Sequence, residues 1–325
     1  MNDKVIEKLL NSDDPSVKLK VIVNVLGKSI DVNEVKSIQE EIKSSQRVKE
    51  LLSERKDDGT IPFHPYSKWF GAHWILATLA DIGYPSGDES LIPLRDQVYG
   101  WLFSKNHEQS IRTIEGKVRR CASQEGNALY ATLSLGIADS YADELADRLI
   151  KWQWSDGGWN CDKNPDASNS SFMESLIPLR ALALYAKVTG NEESKITAER
   201  AGDIFLKRRL YKRQRDGEII NKDFATLHYP CYWHYDILFG LKVMAESGFI
   251  NDERCNDALD LLESKRISEG GFPAEKKYYQ TIDKSKPGRR KSGSSLVDWG
   301  CIGSKKCNEF VTADALYVLK ESGRL

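Results

Sequence analysis

Apolar residues gather in five dense helical runs: Trp69–Asp81, Asn127–Ala138, Ser171–Thr189, Trp233–Ser247 and Phe310–Ser322. Four of these stop at or beside glycine, at Gly83, Gly190, Gly248 and Gly323. That is the usual C-terminal signal, because glycine takes the left-handed conformation cheaply. Each run is apolar around most of its circumference, which predicts burial on several sides. Between them, near Leu91–Lys105, Tyr141–Trp152, Lys195–Leu210 and Asp252–Lys265, charge alternates with apolar residues at helical spacing. These segments predict amphipathic outer helices. Ser16–Leu26 can supply a further inner helix, followed by helices near Glu34–Ser45 and Gln46–Glu54. No sustained two-residue alternation competes, so the chain is read as all-α.

Entry into the inner helices is also repetitive. Leu149, Gln153, Gly157 and Trp159 form L-x3-Q-x3-G-x-W. Leu51, Arg55, Gly59 and Ile61 repeat the spacing, as do Leu262, Arg266, Gly270 and Phe272, and looser versions turn at Gly116 and Gly217. Steps from Gly59 to 116, 157, 217 and 270 are 57, 41, 60 and 53 residues, a unit of about 50 that marks a repeat architecture. Inner helix, outer helix, turn and inner helix again predict an α/α toroid of five or six helical hairpins in one domain. Residues 1–50 form its N-terminal helical part, 51–325 its five repeats, and 273–307 a long basic loop. Every long loop then precedes an inner helix. The helix N-termini share one mouth, which favours anionic groups there.

Composition narrows the function classes. A net charge of -1 gives no support to nucleic-acid or membrane attraction. No run reaches the about 18 apolar residues of a membrane span. The first residues, MNDKVIEKLLNSDD, lack a signal-peptide core. Six scattered cysteines are read as reduced thiols of a cytoplasmic protein, free for metal or chemistry.

The densest chemistry is His228–Asp236, HYPCYWHYD, with two histidines, a cysteine, an aspartate and four aromatics. His234 and Asp236 at the helix start are the candidate acid/base pair, the carboxylate orienting the imidazole. Cys121 and Cys161 occupy equivalent loops of their repeats. With His234 they make a candidate three-ligand zinc site, and Asp162, Asp236 or Cys231 can instead complete the set. His73, Asn127, Trp233 and Tyr235 are the candidate substrate-binding residues. Of the tryptophans at turns and helix starts, Trp159 reads as structural and Trp233 as a cavity residue able to hold a cation. Lys207–Arg215 holds six basic residues in nine and reads as a solvated face. In the 273–307 loop, Lys286, Arg289 and Arg290 can steer phosphate.

Gln153, Gly157 and Trp159, with the helical repeats around them, resemble the repeat of terpene cyclases such as squalene–hopene cyclase. The β-subunits of protein prenyltransferases share that toroid. The resemblance runs from about Leu51 onward and implies fold rather than activity. The Asp-x-Asp-Asp and Asp-Asp-x-x-Asp elements of the cyclases are missing, and Asp298 and Cys301 stand one residue too far apart for the prenyltransferase Asp-x-Cys pair. The chain looks like a divergent single-toroid relative.

Two readings follow. One is an enzyme acting on an isoprenoid or other apolar substrate in a central cavity, with zinc as its candidate cofactor. The other is a non-catalytic binder of a lipid, peptide or anionic ligand. A carbohydrate-processing variant would need Asp162 or Asp166 to face Asp236.

Overall fold

The computed structural model of the chain describes residues 2–282 and 290–325. Fourteen α-helices carry the described residues. They are α1 Asn2–Leu10, α2 Pro15–Lys20, α3 Asn33–Ser44, α4 Gln46–Leu51, α5 Ala72–Asp81, α6 Ile92–Leu102, α7 Lys105–Ser110 and α8 Ser123–Ser134. The rest are α9 Tyr141–Trp152, α10 Phe172–Thr189, α11 Glu192–Lys207, α12 Ile237–Glu246, α13 Asn256–Ser264 and α14 Glu309–Glu321. A π-helical turn, Val21–Val25, prolongs α2.

The amphipathic helix α9 falls where its periodicity puts it, and α10 ends at Gly190 with φ 75°. Two apolar helices start later than their composition predicts. Helix α12 begins at Ile237 because Asp236 caps it, its carboxylate accepting from Phe239 N–H at 2.8 Å, while Tyr232 turns the chain at φ 50°. Helix α5 begins at Ala72 because Gly71 passes so close to Pro65 that a Cβ would lie 2.3 Å from its carbonyl oxygen.

Contacts run in sequence order. Helix α5 packs on α8, α8 on α10, α10 on α12, α12 on α14, and α14 on α2 and its π-helical extension. Lys20 of α2 reaches Asp81 of α5. The helices α3, α6, α9, α11 and α13 each pack against α2, α5, α8, α10 and α12 respectively. Gly126 lets α8 approach α10 closely, since a Cβ there would meet Pro178 N at 2.9 Å.

The three close copies of the repeat turn are built alike. Trp154, Ile267 and Lys56 donate backbone N–H to the carbonyls of Gly158, Gly271 and Thr60 at 2.7, 2.9 and 2.9 Å. Gln153, Arg266 and Arg55 each donate to the carbonyl of the turn glycine, at 2.8, 3.0 and 3.2 Å. Gln153 then reaches Thr197 O of α11 at 2.8 Å, Arg266 reaches Asn2, and Arg55 reaches Ser90 O. The last apolar residue is buried, and its N–H meets a side-chain oxygen of a neighbouring helix: Trp159 to Ser175, Phe272 to Thr312, Ile61 to Gln97. Trp159 also ties its indole N–H to Leu149 O at 2.9 Å, so it is structural. Arg and Gln are interchangeable here because both present N–H groups to two carbonyls.

The looser copies differ. Gly116 turns a two-stranded hairpin, β1 Arg112–Ile114 with β2 Lys117–Arg119, which the all-helical expectation omits. The 273–307 segment is packed where described. A short parallel pair joins β3 Gln280–Thr281 to β4 Ser294–Ser295, and Tyr279, Leu296, Val297 and Trp299 are buried. Lys286 and Arg289 lie outside the described residues, and Arg290 pairs with Glu54.

At Gly157, with φ 105°, a Cβ would stand 2.6 Å from Arg200 O, whereas Gly217, with φ 73°, has open space around it. Gly217→Ala therefore loses about 1–2 kcal/mol, the left-handed penalty alone. Gly157→Ala loses at least about 2 kcal/mol more, because α11 must also move. Paired urea melts of the two variants measure this difference.

Candidate functional site

A cavity for an apolar substrate was expected among the core helices. That space holds ion pairs instead. Lys20 Nζ lies 2.9 Å from Asp314 and 3.4 Å from Asp81, and Lys242 Nζ lies 2.9 Å from Asp81 and 3.0 Å from Asp314. Arg180 makes two hydrogen bonds to Glu246, at 2.5 and 2.7 Å, and its guanidinium lies 3.8 Å from the Tyr130 ring centre. Tyr229 donates to Asp81 at 2.8 Å. One residue each from α2, α5, α8, α10 and α14, and two from α12, thus meet in one cluster, in which Lys20, Arg180, Lys242 and Asp314 are buried. Burial alone would raise the Asp81 carboxyl, but Lys20, Lys242 and Arg180 outweigh it and hold the carboxyl well below its usual range. Burial alone would lower Lys242, but Asp314 and Asp81 hold its ammonium well above its usual range.

Two cavities adjoin this cluster, of about 50 Å³ and about 220 Å³, and Asp81, Tyr130, Arg180 and Lys242 line both. Neither reaches the about 300–1,000 Å³ typical of ligand pockets. The sequence signal was available: Lys242 in LFGLKVM, Asp314 in VTADALY and Arg180 in PLRALAL are lone charges inside apolar runs.

Asp236 does not pair with His234. Its carboxylate lies 2.7 Å from His228 Nδ1, accepts from His228 N–H at 2.9 Å and caps α12. His234 is stacked between Trp233 (4.1 Å) and Tyr278 (3.7 Å), and burial lowers its pKa to about 3. His228, Cys231 and Asp236 bring three potential metal-ligating atoms within 4.8 Å of one another. Burial pushes the Cys231 thiol well up.

The proposed substrate contacts divide. Asn127 lines the smaller cavity, and its Nδ2 is buried without a partner. Trp233 is half-buried beneath the Lys68 ammonium, 4.8 Å away. Tyr235 is a packing residue: it is 1% exposed, enclosed by Phe172, Phe205 and Phe224, and its hydroxyl donates to Leu210 O. His73 is 2% exposed among Tyr66, Trp74 and Trp101, and neither ring nitrogen has a partner.

Cys121 and Cys161 do come together, and Glu174 of α10 rather than His234 stands third. Their ligand atoms lie within 4.8 Å of one another, with Cys161 Sγ to Glu174 Oε1 at 3.7 Å. A hydrogen bond from Cys121 lowers the Cys161 thiol and raises that of Cys121, and burial raises the Glu174 carboxyl. The other Glu174 oxygen accepts from Ser123 N–H at 3.1 Å. Nearby, Arg120 and His107 converge on Glu125. Burial pushes the Tyr66 phenol up. Tyr66 also borders an open cleft of about 380 Å³ lined by His64, Ser67, Lys68, Phe70, Arg290 and Ser292. Glu174 and Tyr66 escaped the sequence reading because neither belongs to a local motif.

Comparison with family models, with curated proteins and with solved structures finds no match to this chain. Among the described residues no helix is long and apolar enough to cross a membrane. The basic 207–215 segment is partly neutralised by Asp203, Asp216 and Asp257.

Lys242→Met leaves Asp81 and Asp314 short of a cation and lowers stability by about 3–5 kcal/mol, read from urea denaturation. Burial lowers His73 to about 3 from 6.5, so only the unfolded chain takes up its proton between those values. This contribution to stability is complete above pH 6.5 and falls as pH drops toward 3, by up to about 1.4 kcal/mol per unit. His73→Phe removes that dependence. The variant's urea midpoint therefore shifts less than the wild type's between pH 7 and pH 5.

Proposed function

We propose that the chain is a single α/α toroid related to the terpene cyclases, and that it binds an anionic amphiphile at the loop end of its core helices. Support for the ring comes from the order of helix contacts, its return from α14 to α2, and the six helices that share one charge cluster. Support for the family comes from the repeat turn, where Gln153 ties the turn to α11 and Trp159 ties it to α9.

The cleft beside Tyr66, not the core, is the ligand site. Its volume falls in the usual range for small ligands, and Tyr66 and Phe70 offer rings to an apolar body. Lys68 carries the reading. Its ammonium lies near the rings of Trp69 and Trp233, at 5.6 and 4.8 Å, and among the described residues it pairs with no carboxylate. A cation so placed suits a phosphate or carboxylate head group. Isoprenoid diphosphates are the class that the repeat resemblance suggests.

Catalysis on the same ligand is the second reading, favoured by the two thiols and Glu174.

Farnesyl diphosphate, farnesol and tripolyphosphate, titrated calorimetrically into the full chain, separate the contributions of body and head. Farnesyl diphosphate binds tightest, and Lys68→Ala weakens it about tenfold, or 1.4 kcal/mol, with a shallower salt dependence. Equal affinity in wild type and Lys68→Ala would sink the reading.

A further inference from the structure

We propose that Cys121, Cys161 and Glu174 form a binding site for a divalent transition metal, zinc by donor type, with a fourth position left for a small ligand. The site is independent of what occupies the cleft.

Donor chemistry and spacing agree. Two sulfurs and a carboxylate oxygen suit zinc, which takes thiolate at about 2.3 Å and carboxylate at about 2.0–2.2 Å. Tetrahedral geometry then sets sulfur and oxygen about 3.6 Å apart, and Cys161 Sγ lies 3.7 Å from Glu174 Oε1. The carboxylate is already oriented: Ser123 N–H holds Oε2, which leaves Oε1 toward the thiols. The ligands stand on the loop before α8, the loop after the third repeat turn and the first turn of α10. Gly126 keeps α8 and α10 close enough to bring these together.

Charge points the same way. Among the described residues no Lys, Arg or His lies within 4.0 Å of the Glu174 carboxylate, and the nearby cation Arg120 is bound to Glu125. Glu125 is wholly buried and its Oε2 has no partner. Two half-buried thiols and the Glu174 carboxylate therefore stand together without a cation paired to them, while Arg120 is engaged by Glu125. A divalent ion supplies that cation, and the two thiol protons leave to solvent as thiolates coordinate.

The cluster of His228, Cys231 and Asp236 is a poorer host. His228 Nδ1 is held by Asp236, and both Asp236 oxygens already accept backbone N–H groups. Three protein ligands at the first site leave one position open, as in reactive zinc centres.

The test uses full-length protein, purified reduced without chelator or metal-affinity tag, with metal measured by plasma mass spectrometry. Wild type should carry about one zinc per chain. Cys121→Ser and Cys161→Ser should lose it, and Glu174→Gln should weaken zinc at least tenfold. Cys301→Ser, at an exposed cysteine, should bind as wild type. Circular dichroism identifies variants that keep their fold. In those, cobalt reconstitution should show the wild-type thiolate-to-cobalt charge-transfer band diminished when either cysteine is replaced. Wild type that takes up neither zinc nor cobalt under reducing conditions overturns the proposal, as does undiminished binding in Cys121→Ser/Cys161→Ser. Because metal content is read without farnesyl diphosphate, failure here leaves the Lys68 cleft standing, and the converse holds too.

Discussion

Three cations and three carboxylates, locked together among the core helices, set the terms for everything else in this chain. Lys20, Lys242 and Arg180 face Asp81, Asp314 and Glu246 among helices whose buried residues are mostly apolar. An unpaired charge at such depth costs several kcal/mol, so each helix must arrive with its charged residue in register. An apolar core would hold the same helices with less discrimination between registers. The cluster also fixes where ligands can go. The cavities that adjoin it are lined by its own Asp81, Tyr130, Arg180 and Lys242.

With the core closed, chemistry is left to the loops that feed the core helices. Several of those helix starts are already served by the protein's own acceptors. Asp236 caps α12, Asn308 caps α14, and Glu174 accepts from the first residue of α8. The positive ends of these three helices therefore create little demand for an external anion. Such demand arises at Lys68, outside the helix ends. Around Glu174 it is reversed, because the carboxylate and its two thiol neighbours lack a cation.

The helices and the repeat turn were legible in the sequence because both obey short-range rules. A 3.6-residue period fixes α9 and α10, and one spacing of Gln or Arg, Gly and an apolar residue fixes three turns with the same hydrogen bonds. The site was half legible. Cys121 and Cys161 occupy matching places in their repeats and do meet, but their third partner lies one turn into α10, where a glutamate looks like an ordinary helix residue. In HYPCYWHYD the nearer histidine in sequence was the wrong one. The turn at Tyr232 brings His228 to Asp236, whereas two-residue separation sends the His234 ring into a stack with Trp233 and Tyr278.

Long-range pairing explains the remaining oversight. Lys20 and Asp314 are separated by 294 residues, and Lys242 and Asp81 by 161. No window of periodicity connects them, and each alone reads as a blemish in an apolar run. Their common property is that every core helix carries at least one polar residue of this set. Five of the six core helices bring charge to it, α12 twice, and α8 brings the Tyr130 ring. Charges so distant in sequence neutralise one another only where the fold packs their helices together. Each lone charge in an apolar run therefore demands a partner of opposite sign on another core helix.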